Sequence, residues 1–175
     1  MNEFTPMPTI YFDMDGVLAK WNNEASVEDT FEEGYFLNRE PDEKMVNVVK
    51  RLRKLFGNQI QILSSVYQNG YAEKEKIEWL SKNGIDDVQR QFVPYEHRKD
   101  DYINAEEPAI LIDDFSQNLH YWVETDEHVA IKYFNGINGT KHTWDGNSIS
   151  YEMSEDEIIE SIMNVVFSMN ESEED

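Results

Sequence analysis

The sequence predicts an α/β domain with a mainly parallel sheet and helices on both faces. Short apolar runs of strand character alternate with amphipathic helical stretches, the pattern of a parallel sheet. Two of those runs, Thr9-Ile10-Tyr11-Phe12-Asp13 and Ala109-Ile110-Leu111-Ile112-Asp113-Asp114, stop abruptly at carboxylates. With 175 residues, 39% hydrophobic and 13% aromatic, the chain is long enough to bury a substantial core as one domain.

The elements follow in order. The first strand starts at Thr9 and ends at Asp13. Asn22 to Glu40 is polar and acidic, with Phe31, Tyr35 and Phe36 interleaved. Pro41 suits the first turn of a helix. Met45, Val46, Val49, Leu52, Leu55 and Phe56 then recur at helical spacing, and Gly57 can end that helix. Lys50, Arg51, Arg53 and Lys54 form its wet side. Gln59-Ile60-Gln61-Ile62-Leu63 is a second strand, running into Ser64-Ser65, and a loop around Gln68-Asn69-Gly70 follows. Ala72 to Asn83 is a helix with Ile77 and Leu80 inward and Gly84 as its stop. Val88–Val93 is a third strand and Ala109–Ile112 a fourth. Ser116 caps a helix carrying Leu119, Tyr121, Trp122 and Val123, and Val129-Ala130-Ile131 is a fifth strand. Ser154-Glu155-Asp156-Glu157 is a capping box that opens a last amphipathic helix through Met169. The expected division is one domain over 1–169, a small insert at about 20–41, and an acidic, disordered tail over 170–175.

Fifteen basic against 36 acidic residues give a net charge of −21. Such a chain repels polyanions, so a nucleic-acid polymer is an unfavoured partner. The absence of cysteine excludes disulfides and thiol chemistry and fits a cytoplasmic protein. Met1 to Pro6 lacks the basic and apolar regions of a signal peptide, and no apolar run has transmembrane length.

The chemistry is concentrated at strand ends. Asp13 and Asp15 lie two residues apart, with Gly16 in the turn between strand and insert. Two carboxylates at one strand end repel unless a cation sits between them or one holds a proton. That arrangement points to Mg²⁺ and phosphate chemistry. A calcium EF-hand loop is excluded: its fifth position would be Val17, followed by Leu18 and Ala19, which offer no side-chain oxygen. Three further segments follow in order: the hydroxyl pair Ser64-Ser65, the basic cluster His97-Arg98-Lys99, and the acid pair Asp113-Asp114.

Together these four signals resemble the motifs of the haloacid dehalogenase-like phosphohydrolase superfamily. Asp13-Met14-Asp15-Gly16-Val17-Leu18-Ala19 and Gly34-Tyr35-Phe36-Leu37-Asn38-Arg39-Glu40-Pro41 resemble its 5′(3′)-deoxyribonucleotidase branch, over about residues 9 to 125. The resemblance implies a Rossmann-like core with a five-stranded sheet in the order 5-4-1-2-3 and a small cap formed by the insert. It implies Asp13 as nucleophile and Asp15 as general acid and base. It implies Mg²⁺ held by the Asp13 carboxylate, the Asp15 carbonyl and the Asp113-Asp114 pair, with Asp114 the direct ligand. Ser64 and Ser65 would bind phosphate, and Lys99 would neutralise it, with Arg98 as the competing cation. Trp21, Tyr35 and Phe36 would contact a nucleobase or seal the cap to the core.

The expected activity is Mg²⁺-dependent hydrolysis of a small phosphomonoester, a (deoxy)nucleoside monophosphate in the leading case. A sugar phosphate is the alternative substrate. A regulatory module that binds phosphate or Mg²⁺ without turnover is a third reading. Receiver domains, which carry their acid pair after the first strand, fit poorly, because here the adjacent acids come last. His97, His120, His128 and His142 share no metal-ligand spacing. Asn135-Gly136-Ile137-Asn138-Gly139 lacks the Lys-Ser/Thr pair of a phosphate loop and reads as a turn.

Overall fold

A computed structural model of the chain describes residues 7–68, 70–139 and 143–171. The expectations for Met1–Pro6, Asn69, His142 and Ser172–Asp175 lie outside the described residues. The element order is β1 (Thr9–Phe12), α1 (Glu43–Phe56), β2 (Ile60–Val66), α2 (Ala72–Lys82), β3 (Gln89–Pro94), β4 (Ala109–Asp113), α3 (Ser116–Trp122), β5 (His128–Phe134), β6 (Ser148–Ser150) and α4 (Glu155–Glu171), with 3₁₀ turns at Glu28–Phe31, Gly57–Gln59 and Asp100–Tyr102.

The strands form one sheet in the order β3-β2-β1-β4-β5-β6, and every pairing is parallel. This corrects the expected count of five strands: among the described residues the sheet has six, because β6 extends the expected order 5-4-1-2-3 beyond β5. Ser148-Ile149-Ser150 holds one apolar residue in three, so no periodicity could mark it. β5 is also longer than expected, because it continues through Lys132 and Tyr133.

A parallel sheet is covered on both faces, so its central strands are apolar throughout. All five residues of β4 are buried. Alternate residues of β1 face opposite ways. Ile10 and Phe12 join side chains of α1, α2 and α4 in one cluster, among them Val49, Leu52, Trp79, Ile158 and Ile162. Tyr11 joins Leu63, Leu111, Leu119 and Trp122 in the other. The helices are thus shared unequally between the two clusters, α3 alone serving the second.

Helix ends follow side-chain chemistry. α1 begins after Asp42, whose carboxylate accepts from Met45 N at 3.1 Å, so Pro41 precedes the cap instead of starting the first turn. The α4 capping box forms as expected: Ser154 N donates to Glu157 at 2.7 Å, and Glu157 N donates to Ser154 Oγ at 3.2 Å. α4 then runs to Glu171, taking Asn170 and Glu171 out of the expected tail. Ser116 does not cap α3. Its Oγ accepts from the buried Lys132 Nζ at 2.7 Å, and the Asp113 carboxylate accepts the Phe115 N–H at 2.8 Å instead. Among the described residues no helix is long and apolar enough to cross a membrane.

His128, at the start of β5, is buried and stacks on Trp122 with ring centroids 4.6 Å apart. Burial pushes its pKa below the usual value, against the opposing pull of Asp100 and Glu127. The unfolded chain therefore takes up this proton first on acidification, and stability should fall as pH drops below about 6.5. His128→Phe is expected to flatten that part of the stability profile, read as the denaturant midpoint by tryptophan fluorescence between pH 7 and 5. Identical slopes for the two proteins would remove His128 as the cause.

Candidate active site

Parallel strands in register bring their C-terminal ends to one edge, where ligands of open α/β sheets bind. Asp13 follows β1, its N–H donating to Ile112 O at 3.0 Å, so it stands beside the Asp113-Asp114 end of β4. One carboxylate oxygen from each of Asp13, Asp113 and Asp114 lies within 4.8 Å of the others, and all three residues are buried. The turn after Asp13 is tight: the N–H groups of Val17, Leu18 and Ala19 all donate to Met14 O. Gly16 has φ +83°, and a Cβ there would overlap the Asp114 carboxylate. Glycine is thus required both by its backbone and by the approach of Asp114.

Two buried lysines face the acids. Lys99, just before the 3₁₀ turn Asp100–Tyr102, donates to Asp13 at 2.8 Å and Asp113 at 2.6 Å. Lys76, inside α2, donates to Asp15 at 2.5 Å, Ser64 Oγ at 2.9 Å and Ser65 O at 2.7 Å. The expected single cation is therefore shared between two positions. Arg98 is not a site cation: its guanidinium pairs with Asp100 and Glu124 and lies over the Tyr121 ring. Lys76 left a signal in the sequence. It occupies the stripe of α2 that also carries Ala72, Trp79 and Leu80, where an amphipathic helix buries apolar residues.

Successive strand residues point to opposite faces, so Ser64 and Ser65 are not equivalent. Ser64 is fully buried and its hydroxyl meets Lys76, while Ser65 enters through its carbonyl. Because Lys76 donates to Ser64 Oγ, the hydroxyl proton remains available to an anionic ligand.

Electrostatics single out the carboxylates. Burial pushes the Asp13 pKa up to about 6; Lys99 and Lys76 oppose the rise, while Asp113 and Asp15 add to it. Burial, then Asp113 and Asp13, hold Asp114 well above the ordinary carboxylate range. Lys99 also suffers from burial, but Asp113 and Asp13 outweigh it and bind its proton more tightly than usual. Three crowded, buried carboxylates form a set of hard oxygen donors suited to a cation such as Mg²⁺.

The two adjacent acids differ in how they are occupied. Asp113 Oδ2 accepts from Lys99 and from Asn118 Nδ2 at 2.9 Å, and its Oδ1 accepts from Phe115 N. Among the described residues, Asp114 receives its side-chain donors on Oδ2, from Asn135 at 3.3 Å and from Asn138. Asp114 Oδ1 is thus the better placed to meet a cation.

The Asn135–Gly139 segment, expected as a plain turn, is therefore part of the site's frame. The insert is fixed as well. Buried Glu75, next to Lys76 on α2, accepts the backbone N–H groups of Gly34, Phe36 and Leu37 at 2.5, 3.0 and 3.3 Å.

Of the three expected aromatics, Phe36 is buried, with its ring 4.8 Å from Lys76 Nζ and edge-on to Tyr35. Tyr35 lies under Arg39. Trp21 is exposed on the insert. A further group of rings combines the exposed Phe31 and Tyr95 with the half-buried Tyr67. Phe31, Tyr67 and Tyr95 form a contiguous row, with centroids 4.7 and 4.5 Å apart. Tyr67 directly follows β2, and Tyr95 directly follows β3. Both tyrosines thus stand at the carboxyl ends of their strands, the same edge of the sheet that carries Asp13 and Asp113.

No protein-family model matches this chain, and no curated protein matches it.

Proposed function

We propose that the chain is a Mg²⁺-dependent phosphomonoesterase of the haloacid dehalogenase type, acting through an aspartyl-phosphate on small monophosphates, nucleoside monophosphates foremost. The buried Asp13, Asp113 and Asp114 set, flanked by Lys99 and Lys76 at the carboxyl edge of the sheet, carries this reading. Bound Mg²⁺ would offset charge on the phosphate oxygens and hold the phosphate against Asp13. Asp13 and Asp114, with the Asp15 carbonyl, would hold it directly, and Asp113, whose oxygens accept from Lys99, Asn118 and the Phe115 N–H, would act through water or through Lys99.

The Asp13 carboxylate attacks phosphorus, and the ester P–O bond breaks. Asp15 gives its proton to the departing alcohol oxygen. Asp15 then takes a proton from water as the water oxygen attacks phosphorus, and inorganic phosphate leaves with Asp13 restored. Lys76 links the two steps to binding. It is held by Ser64 and Ser65, so an arriving phosphate can draw it from Asp15, which favours a proton there. Ser64 donates its hydroxyl proton to a phosphate oxygen.

A planar leaving group has a surface to stack on in Tyr67 and Tyr95, and this favours a nucleotide. A polar hollow of about 350 Å³ in the insert, lined by Asn22, Asn38, Arg39 and three acids, favours a polyhydroxylated leaving group and supports a sugar phosphate as the second reading. Phosphate release from a panel of nucleoside monophosphates and sugar phosphates, in Mg²⁺ and in EDTA, tests the activity. Tyr67→Ala separates the readings: it is expected to weaken nucleoside monophosphate binding by about 1–3 kcal/mol and leave a small aliphatic phosphate unchanged. Equal effects on both substrates would rule out stacking at Tyr67.

A further inference from the structure

The turn after β5 is built more elaborately than a connection requires. Asn135 Oδ1 accepts the N–H groups of Ile137 and Asn138 at 2.9 and 3.2 Å, which closes the turn on its own side chain. Gly136 has φ +76°, and a Cβ there would meet the Tyr151 ring, so the segment is pinned from behind by the chain leaving β6. Asn23 Nδ2 on the insert donates to Ile137 O at 2.6 Å. The products of this arrangement are two carboxamides. Asn135 Nδ2 donates to Gly16 O at 2.9 Å and to Asp114 Oδ2 at 3.3 Å, and Asn138 Nδ2 donates to the same Asp114 oxygen.

We propose that Asn138, supported by Asn135, is a positioning residue that holds Asp114 to one-oxygen contact with the bound cation and so favours a small octahedral ion over Ca²⁺. This rests on the Mg²⁺ reading above. The physical basis is the difference between the ions. Mg²⁺ demands near-ideal octahedral geometry, while Ca²⁺ accepts carboxylates through both oxygens in flexible shells. A carboxylate whose Oδ2 is held by two amide donors presents Oδ1 and cannot turn both oxygens to an ion without losing those bonds. Neutral amides do this without adding positive charge that would compete with the cation. Asp113, in contrast, is held by the charged Lys99. Outer partners of metal ligands commonly alter affinity by about 10–100-fold when removed.

Asn138 is the cleaner residue to change, since Asn135 also holds Gly16 and the turn. The test measures dissociation constants for Mn²⁺, as the Mg²⁺ surrogate, and for Ca²⁺, by calorimetry on the unsubstituted chain, Asn138→Leu and Asn138→Gln. Melting in EDTA is recorded alongside. The expected result is that Asn138→Leu lowers the preference for Mn²⁺ over Ca²⁺ by about tenfold. Asn138→Gln, which keeps an amide donor, should recover part of that preference. A merely structural role would lower the EDTA melting temperature and leave the ion ratio unchanged, which overturns the proposal while the Mg²⁺ reading stands. Failure of the unsubstituted chain to bind Mn²⁺ overturns both. If Asn138→Leu cannot be obtained folded, the same ratio in Asn138→Ala decides.

Discussion

Asp13→Asn is expected to reduce phosphate release by about 10⁴-fold or more, because it removes the attacking carboxylate and leaves the surrounding shape intact. Its effect on the fold should run the other way. Burial, with Asp113 and Asp15 adding to it against Lys99 and Lys76, pushes the Asp13 pKa up to about 6, so an uncharged isostere removes the cost of a buried charge in the metal-free protein. Lys99 keeps Asp113 as a partner at 2.6 Å. The variant should therefore melt no lower than the parent in EDTA while its turnover is lost. Steady-state phosphate release and a thermal melt on the same preparation check both halves. Full turnover by the folded variant would end the covalent mechanism.

The second large effect separates the two adjacent acids. Asp114→Asn is expected to weaken Mg²⁺ or Mn²⁺ binding by about 100-fold, and Asp113→Asn by about tenfold at most. The reason is occupancy. Both Asp113 oxygens already accept protein donors, from Lys99, Asn118 and the Phe115 N–H, while among the described residues Asp114 has its side-chain donors on Oδ2. Asp113 thus acts chiefly by fixing Lys99 against Asp13. Calorimetric titration of the two variants measures the difference. Equal losses, or a larger loss at Asp113, would reverse the assignment.

Much of this framework was legible in the chain because it depends on local signals. Apolar runs marked β1, β2, β4 and the middle of β5, and the acids and hydroxyls that end β1, β2 and β4 marked the edge of the sheet where the candidate site lies. The Ser154-Glu157 capping box placed the start of α4 for a purely local reason. β6 was invisible, since a three-residue edge strand with one inward side chain carries no period and forms because β5 offers it an edge. Lys76 and Lys132 were hidden by the habit of assigning lysine to solvent. Each is buried because the fold supplies oxygen partners: Asp15, Ser64 and Ser65 for one, Asp114 O and Ser116 for the other. Asn135 and Asn138 reach Asp114 across more than twenty residues of sequence, a juxtaposition that only the parallel pairing of β4 and β5 creates. Of the two roles expected for Trp21, Tyr35 and Phe36, sealing of the insert to the core fits Phe36 and Tyr35, which pack with Val66 and Ala72. The row Phe31, Tyr67 and Tyr95 was not legible, because it draws one residue from the insert and one from each of two strand ends.

The most direct measurement is rapid acid quenching of the protein mixed with a nucleoside monophosphate in Mg²⁺, followed by mass spectrometry of its peptides. A phosphoryl group on Asp13, absent in EDTA and absent from Asp13→Asn, is the result the mechanism requires. Turnover with no label on Asp13, or with the label on Asp113 or Asp114, would contradict it.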